Sequence, residues 1–327
     1  MRVLHVDTFS TRYATDNTEG LKAAYERIAE VKTFDYRWQT SISNPQDMND
    51  LLVDECRKFD PDLVHLGKCE TVSAESVRKM REAGAVVIHF FGDMRLQPDL
   101  ATVQIGKEAN GTLLSTTDPR IVDQYRAAGV NVLGWWDAGT EPALFYPRDV
   151  PKKYDITFFG HNNLVGLPHE GNRQRLILMQ MLDAWGFDLH LFGNGWKGFR
   201  NIHEPVYGDD FAEAASASRI TIGINNMNDY AMYASWRRTL NCMASGAFHL
   251  THYVPGLERM FNTDCELPVF HNVYNAVSLV DEFLRDSGAR DSFAARGRVA
   301  VLERHTWDKR VEAMLGYYER CQSGTTE

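Results

Sequence analysis

Covalent and metallic staples are missing from this chain. Its five cysteines, Cys56, Cys69, Cys242, Cys265 and Cys321, are odd in number, widely spaced and without a CxxC pair, so neither a disulfide framework nor a zinc site is suggested. A reducing, cytoplasmic setting is the expectation. No run of 18 apolar residues occurs, and the opening MRVLHVDTF carries Asp7 inside its apolar stretch without a cleavage-site pattern, so neither secretion nor a membrane span is expected. Positive charge is in deficit: 35 Lys plus Arg against 44 Asp plus Glu gives a net charge of −9. That balance argues against broad attraction to nucleic acid or anionic membranes and leaves only a local basic cleft open. Internal repeats, heptads and low-complexity tracts are absent too, apart from the short polar end SGTTE, and the histidines show no HExxH or paired helical spacing, so no metal is implied.

What is present is alternation. Short apolar, β-branched runs recur at RVLHV (2–6), DLVHL (62–66), AVVIHFF (85–91), GTLLS (111–115) and VNVLGWW (130–136), with helix-period segments such as SAESVRKMREAG between them. Continuous apolar strands interleaved with helices describe a parallel sheet covered on both faces. Residues 137–153, DAGTEPALFYPRDVPKK, break the rhythm with Pro142, Pro147 and Pro151, because proline neither donates to a ladder nor sits well inside a helix. The alternation then resumes with DITFFG (155–160), DLHLFG (188–193), RITIGIN (219–225), AFHLT (247–251) and LPVF (267–270), and three helical patterns close the chain. With 327 residues, 44% of them hydrophobic, two cores of ordinary size are expected. The expected organisation is α/β throughout: a domain over 1–145, a second over 146–305, and a closing helix over 306–327.

In open α/β sheets, ligands bind beyond the C-terminal ends of strands. The loops there in the second half are rich in glycine and asparagine: FFGHNNLVGLPHEGNRQR, with Arg173 and Arg175 opening the next helix, and FGNGW. Glycine allows close backbone approach, a helix start presents unpaired N–H groups, and added arginine makes such a place suited to phosphate. Neither loop is read as matching a P-loop or GxGxxG, which counts against an ATPase and an ordinary NAD dehydrogenase. A further helix begins SWRRTLNCMASG, placing Arg237 and Arg238 in its first turn, where cations are unfavourable unless an anion compensates them. A bound diphosphate is the expected anion.

These residues also carry a resemblance. The order DITFFG, R-x-R helix, FGNGW, polar loop, RRTLNCMASGAFHLT and RHTWDKR resembles the C-terminal half of GT-B glycosyltransferases, in particular the CgeB-like group related to a spore-maturation protein. The likeness spans residues 137–310, and the first half matches in architecture only. It implies two Rossmann-like, doubly wound domains facing a cleft, with C-terminal helices crossing back, and a metal-independent hexosyltransferase using a nucleotide-sugar, a UDP-sugar being favoured, with no other cofactor. By the same resemblance Gly160 lies beside the phosphates, and Gly193, Gly195 and Trp196 lie near the nucleoside. Tyr207, after Val206, holds the base, Arg238 meets phosphate, and Ser245 with Gly246 lets the backbone approach. The chain departs from the family at Asn241, where a ribose-binding glutamate is expected, and at Tyr233, where the wider pattern has another. His305 resembles a terminal signature with a packing role.

For the acceptor, IHFFGDMR offers His89 and Asp93 at a strand end, the place for a general base or an orienting group. The long polar segment TFSTRYATDNTEG, with Arg12 and Asp16 as minor candidates, is positioned to cover an acceptor. A small molecule, a glycan, a protein side chain or a hydroxymethylated DNA base each offers the needed hydroxyl. The competing readings are a phage-type DNA glycosyltransferase, a non-catalytic binder of nucleotide-sugars or glycans, and a sugar-nucleotide epimerase.

Overall fold

The computed structural model describes residues 1–9, 16–162, 170–225 and 230–324, with backbone alone at 16–18 and 170–172. Two compact units divide the chain: Met1–Gly139 together with Trp307–Glu327, and Thr140–Thr306.

Unit 1 is built on six parallel strands, β1 (Arg2–Asp7), β2 (Glu30–Asp35), β3 (Leu63–Leu66), β4 (Val86–Phe91), β5 (Gly111–Leu114) and β6 (Val132–Trp135), in the order β2-β1-β3-β4-β5-β6. Each crossover is helical: α1 (Asp16–Glu26), α2 (Tyr36–Ile42) with α3 (Pro45–Phe59), α4 (Ala74–Glu82), α5 (Leu100–Glu108) and α6 (Pro119–Ala127). Several of these helices begin where a short polar side chain takes an otherwise orphaned amide. Asn44 accepts from Asp47 N ahead of Pro45, Ser73 from Ser76 N, and Asp118 from Arg120 N ahead of Pro119. Leu4 and Val6 pack with Val64, Leu66 and Val87 against Met48, Leu52 and Cys56 of α3 and Val77 and Met80 of α4, each such side chain contributing about 1.5–3 kcal/mol of burial. β2 escapes the sequence pattern because EVKTFD is an edge strand whose side chains, Phe34 apart, are exposed or half-buried. The last helix, α12 (Trp307–Ser323), belongs to this unit. Trp136 Nε1 donates to Arg310 O at 3.0 Å, Arg310 Nε donates to the carbonyls of Asp137 and Ala138, and Tyr317 OH donates to Trp135 O at 2.9 Å.

Unit 2 has strands β7 (Tyr154–Phe159), β8 (Leu189–Phe192), β9 (Asn201–His203), β10 (Ser218–Gly223), β11 (His249–His252) and β12 (Val269–Phe270), all parallel, in the order β12-β11-β10-β7-β8-β9. Its helices are α7 (Glu170–Ala184), α8 (Gly208–Ser216), α9 (Trp236–Ala244), α10 (Val273–Arg285) and α11 (Ser287–Arg304). Ile156, Phe158, Leu191, Ile220, Ile222 and Leu250 share a core with Leu178 and Leu182 of α7 and Val277 and Val280 of α10. Counted within the unit, the strand order is 3-2-1-4-5-6, the dinucleotide-type winding whose direction reverses between β7 and β10. Its two ends are clasped, with Thr140 N donating to His305 O at 3.1 Å. No helix among the described residues is long and apolar enough to cross a membrane.

Four interior histidines are held uncharged by burial. His5 and His249 are pushed down to about 3, His89 to about 4, and His65 well below its ordinary value. His5 stacks on His65 across β1 and β3 with ring centroids 5.2 Å apart, and neither ring nitrogen of His5 has a hydrogen-bond partner. The unfolded chain, with histidine near 6.5, therefore binds more protons than the folded one below that pH. Stability is complete above about pH 6.5 and falls as pH drops toward the folded values, by about 1.4 kcal/mol per pH unit for each histidine. Urea unfolding between pH 7.5 and 5 (both about) should show this loss, and His5→Phe should remove one histidine's share of the slope. A flat profile would contradict the buried neutral state.

Candidate functional site

At the reversal point of unit 2 the sheet forks. β7 and β10 pair at Ser218 with Tyr154, Ile220 with Ile156 and Thr221 with Thr157; beyond that the guanidinium of Arg238, from the first turn of α9, bridges the two strand ends. Its Nη1 donates to Phe159 O at 3.0 Å and its Nη2 to Ile224 O at 2.9 Å. Asn225 sets where α9 starts: its Oδ1 accepts from Ser235 N at 2.9 Å while its Nδ2 donates to His252 O. Arg238 is partly buried with its Nε enclosed and unpartnered, and no carboxylate lies within 4 Å of it among the described residues. Desolvation, then the neighbouring Arg175, lowers it to about 9, and burial lowers Arg175 to about 10. Both guanidiniums lie near the ring of Phe158, at 4.9 and 5.5 Å from its centroid.

The β7 and β8 ends are zipped together beside this fork. Gly160 N donates to Phe192 O, Asn162 N to Asn194 O, Asn194 N to His161 Nδ1 at 2.9 Å, and Trp196 Nε1 to Gly160 O at 2.8 Å. Arg175 Nη1 donates to His161 O at 2.8 Å, joining α7 to the same turn. Gly193 must be glycine: its φ is +154°, and a Cβ there would lie 2.3 Å from Gly160 O. Gly160 leaves room for the guanidinium, since its own Cβ would be 3.2 Å from Arg238 Nη1, and Gly195 rests on the Asn162 carbonyl. Residues 193–198 do have the GxGxxG spacing, but β8 runs on to β9 with no helix between them. The fingerprint's phosphate-binding helix start is therefore missing.

Gly160, Arg175, Gly193, Gly195, Trp196 and Arg238 are thus assembled at one sheet edge. Tyr207, 44% exposed, follows β9 on that edge and begins α8. Arg173 and Arg237 are exposed residues of the first turns of α7 and α9. Ser245 and Gly246 lie elsewhere: they end α9, about 10 Å of helix beyond Arg238. There Gly246 adopts φ +73° and a Cβ would meet Pro147 at 2.8 Å, so helix termination and packing account for it. Asn241 is buried, its Oδ1 accepting from Thr140 Oγ1 at 2.8 Å. His305 caps α11 and its Nε2 lies 3.1 Å from Met260 O.

In unit 1, Asp93 follows β4 with its carboxylate 54% exposed and 2.5 Å from Lys68 Nζ. His89 is corrected from a strand-end base to an interior residue, 0% exposed, its Nε2 3.4 Å from Lys68 O. Its β4 register puts it on the apolar face with Leu66. Asp7, which the sequence reading passed over, ends β1 at the reversal point of this sheet, and Gly67 admits its carboxylate because a Cβ there would be 2.4 Å from Oδ2. Arg12 lies outside the described residues, as does the side chain of Asp16. Among the described residues no group of three or more His, Cys, Asp or Glu could hold a metal ion.

Two six-stranded parallel sheets with these windings make the GT-B fold. The chain is similar to sucrose-phosphate synthase of Thermosynechococcus elongatus, at 11% identity and TM-score 0.67, covering 99% of this chain and 100% of that one. It is similar also to Anabaena HepE in complex with UDP and glucose, at 11% identity and TM-score 0.66, over 97% and 99% of the two chains. A third likeness is to a putative UDP-N-acetylglucosamine 2-epimerase of Listeria monocytogenes, at 13% identity and TM-score 0.56, over 99% and 97%. Residues 173–316 match a family described as glycosyl transferase-like. No curated protein matches the chain by sequence.

The zipped turns make a sharp expectation. Gly193→Ala should cost about 2 kcal/mol or more in urea unfolding, through clash and backbone strain together. A loss below about 0.5 kcal/mol would mean the β7 and β8 ends are not locked as described.

Proposed function

We propose that the chain is a glycosyltransferase that moves a sugar from a nucleotide-sugar, a UDP-sugar by preference, to an acceptor hydroxyl. The observation that carries this reading is the pair of desolvated guanidiniums, Arg175 and Arg238, at the reversal point of a 3-2-1-4-5-6 sheet. Two neighbouring buried cations raise each other's energy, and α9 adds the positive end of a helix whose first turn has no acidic residue and no side-chain cap. A diphosphate relieves both. A guanidinium has five N–H donors, and Arg238 commits two of them to strand carbonyls, so it can hold the fork and still donate to an anion. The glycosyl transferase-like match over 173–316, which includes both arginines, supports the class. HepE, of similar fold, has been solved in complex with UDP-glucose, which supports the choice of donor.

Transfer breaks the bond from the anomeric carbon to the diphosphate oxygen and forms one to the acceptor oxygen. The departing UDP gains negative charge, and fixed donors already in place stabilise it without reorganising. Arg175, Arg238 and the amides opening α7 and α9 take that part, with Arg173 and Arg237 as outer cations. Gly160, Gly193, Gly195 and Trp196 form the wall beside the phosphates and nucleoside, and Tyr207 is assigned to the base. Asn241 Oδ1 already accepts from Thr140, so ribose recognition falls to other groups. The hydroxyl proton of the acceptor passes to the carboxylate of Asp93, steadied by Lys68, as the oxygen bonds to the anomeric carbon.

Thermal shifts with UDP, GDP, dTDP and ADP test the donor, because a ligand at 100 times its Kd stabilises the folded state by about 2.7 kcal/mol. UDP should give the largest shift, and Arg175→Gln should weaken it about tenfold or more. No shift with any of the four would remove the reading. Release of UDP from a UDP-sugar separates transfer from mere binding. Asp93→Asn should lower kcat about 100-fold without changing UDP affinity; an unchanged kcat would remove Asp93 from the chemistry.

A further inference from the structure

The opposite edge of the unit 2 sheet holds a second cluster of positive charge that donor binding does not use. Lys152 lies two residues before β7, and β7 itself spans about 17 Å from Tyr154 to the Phe159 whose carbonyl Arg238 holds. Around it is a pocket of about 330 Å³ lined by Lys152, Arg219, Gly246, Phe248, Arg290 and Asp291, with Ser287 at the start of α11. That volume falls within the range of small-ligand sites, about 300–1,000 Å³.

The charges lining this pocket are unbalanced. Lys152 Nζ donates to the carbonyls of Ser216 and Ser218, both at 2.8 Å, which leaves one of its three N–H bonds. Arg290 uses Nη1 on the carbonyls of Phe283 and Leu284, leaving its Nε and Nη2 donors. No carboxylate lies within 4 Å of either side chain among the described residues; Arg219 alone is paired, to Asp155 at 2.6 Å. Burial lowers the affinity of Lys152 for its proton, Asp291 raises it, and Arg290 and Arg219 lower it, so the three cations act on one another. Asp291 is the one carboxylate lining the pocket. With Asp155 on Arg219 and Asp291 in the lining, three cations face two carboxylates, and Lys152 and Arg290, the two without an ion-pair partner among the described residues, are stabilised by an anion with several acceptor oxygens.

We infer that this pocket binds a small phosphate-bearing anion through Lys152, Arg290 and Arg219. Gly246 and Phe248 form its apolar wall, which is where the organic part of a phosphomonoester would lie. The site stands apart from the proposed donor position and does not depend on the glycosyltransferase reading. Calorimetric titration of the 327-residue chain at constant ionic strength tests it, using inorganic phosphate and glycerol 3-phosphate, with and without saturating UDP. Saturable binding with a Kd on the order of 1 mM or tighter is expected, unchanged by UDP. Arg290→Gln should weaken it about tenfold, and Asp291→Asn, an exposed change that removes the opposing charge, should tighten it about threefold. If glycerol 3-phosphate binds more tightly than phosphate, the occupant is an organic phosphate; if equally, it is the ion itself. Non-saturating heats, or binding indifferent to both substitutions, would overturn the assignment.

Discussion

One guanidinium holds the working edge of unit 2 in shape. Where β7 and β10 part, the carbonyls of Phe159 and Ile224 lose their ladder partners, and Arg238 supplies both replacements from α9. A buried carbonyl without a partner costs about 1–3 kcal/mol, so the fork is stable only with a two-pronged donor in it. A lysine ammonium can bond two carbonyls that converge on one point, as Lys152 does with Ser216 and Ser218, but only the planar guanidinium presents two separate nitrogens to carbonyls on diverging strands. The neighbouring sequence follows from this contact. Gly160 leaves space for Nη1, Gly193 lets the β8 turn lie on Gly160 O, and Trp196 donates to that same oxygen.

The staple also determines the electrostatics. Bringing Arg238 to the fork takes it from water and sets it near Arg175 and above Phe158, whose ring face offers only partial compensation. An arrangement that is costly when empty becomes favourable with an anion in place, which is how a site can select phosphate without a glycine-rich phosphate loop. The structural role of Arg238 is compatible with the binding role proposed for it because the guanidinium has donors on three sides. Asn225 contributes indirectly, fixing the N-terminus of α9 and hence the point from which Arg238 reaches back.

How much of this was legible in the sequence depended on burial. The central strands β1, β3, β4, β5, β7, β8 and β10 announce themselves as apolar runs because both their faces are covered. β2 and β9 do not, since EVKTFD and NIH keep polar, mostly uncovered residues, whereas the other two edge strands, β6 and β12, lie within the apolar runs VNVLGWW and LPVF. The cations at the start of α9 were legible from helix electrostatics alone, whereas the carbonyls they hold were not, because Phe159 and Ile224 are distant in sequence. Proximity in sequence misled in SWRRTLNCMASG: Arg238 and Gly246 are eight residues apart, and a helix turns that into opposite ends of a rod. His89 misled for a related reason. A histidine two residues from a strand end looks accessible, yet the period of two places it on the covered face.

In the proposed reading the groups at the two reversal points differ in sign, and the difference bears on which substrate goes where. At the unit 2 fork stand Arg175, Arg237 and Arg238, with Asp209 and Asp210 farther along that edge at the start of α8; at the unit 1 reversal point stands Asp7, with Asp35, Glu70 and Asp93 beyond the neighbouring strands, Lys68 on Asp93 and Arg37 on Glu70. Carboxylates accept hydrogen bonds from hydroxyl groups and repel phosphates. A diphosphate is therefore suited to the second edge and a polyhydroxyl acceptor to the first. Within the proposed function, a nucleic-acid acceptor would bring one phosphate per nucleotide to Asp7, Asp35 and Asp93 on a chain of net charge −9, so a neutral hydroxyl-bearing acceptor is proposed over a DNA base.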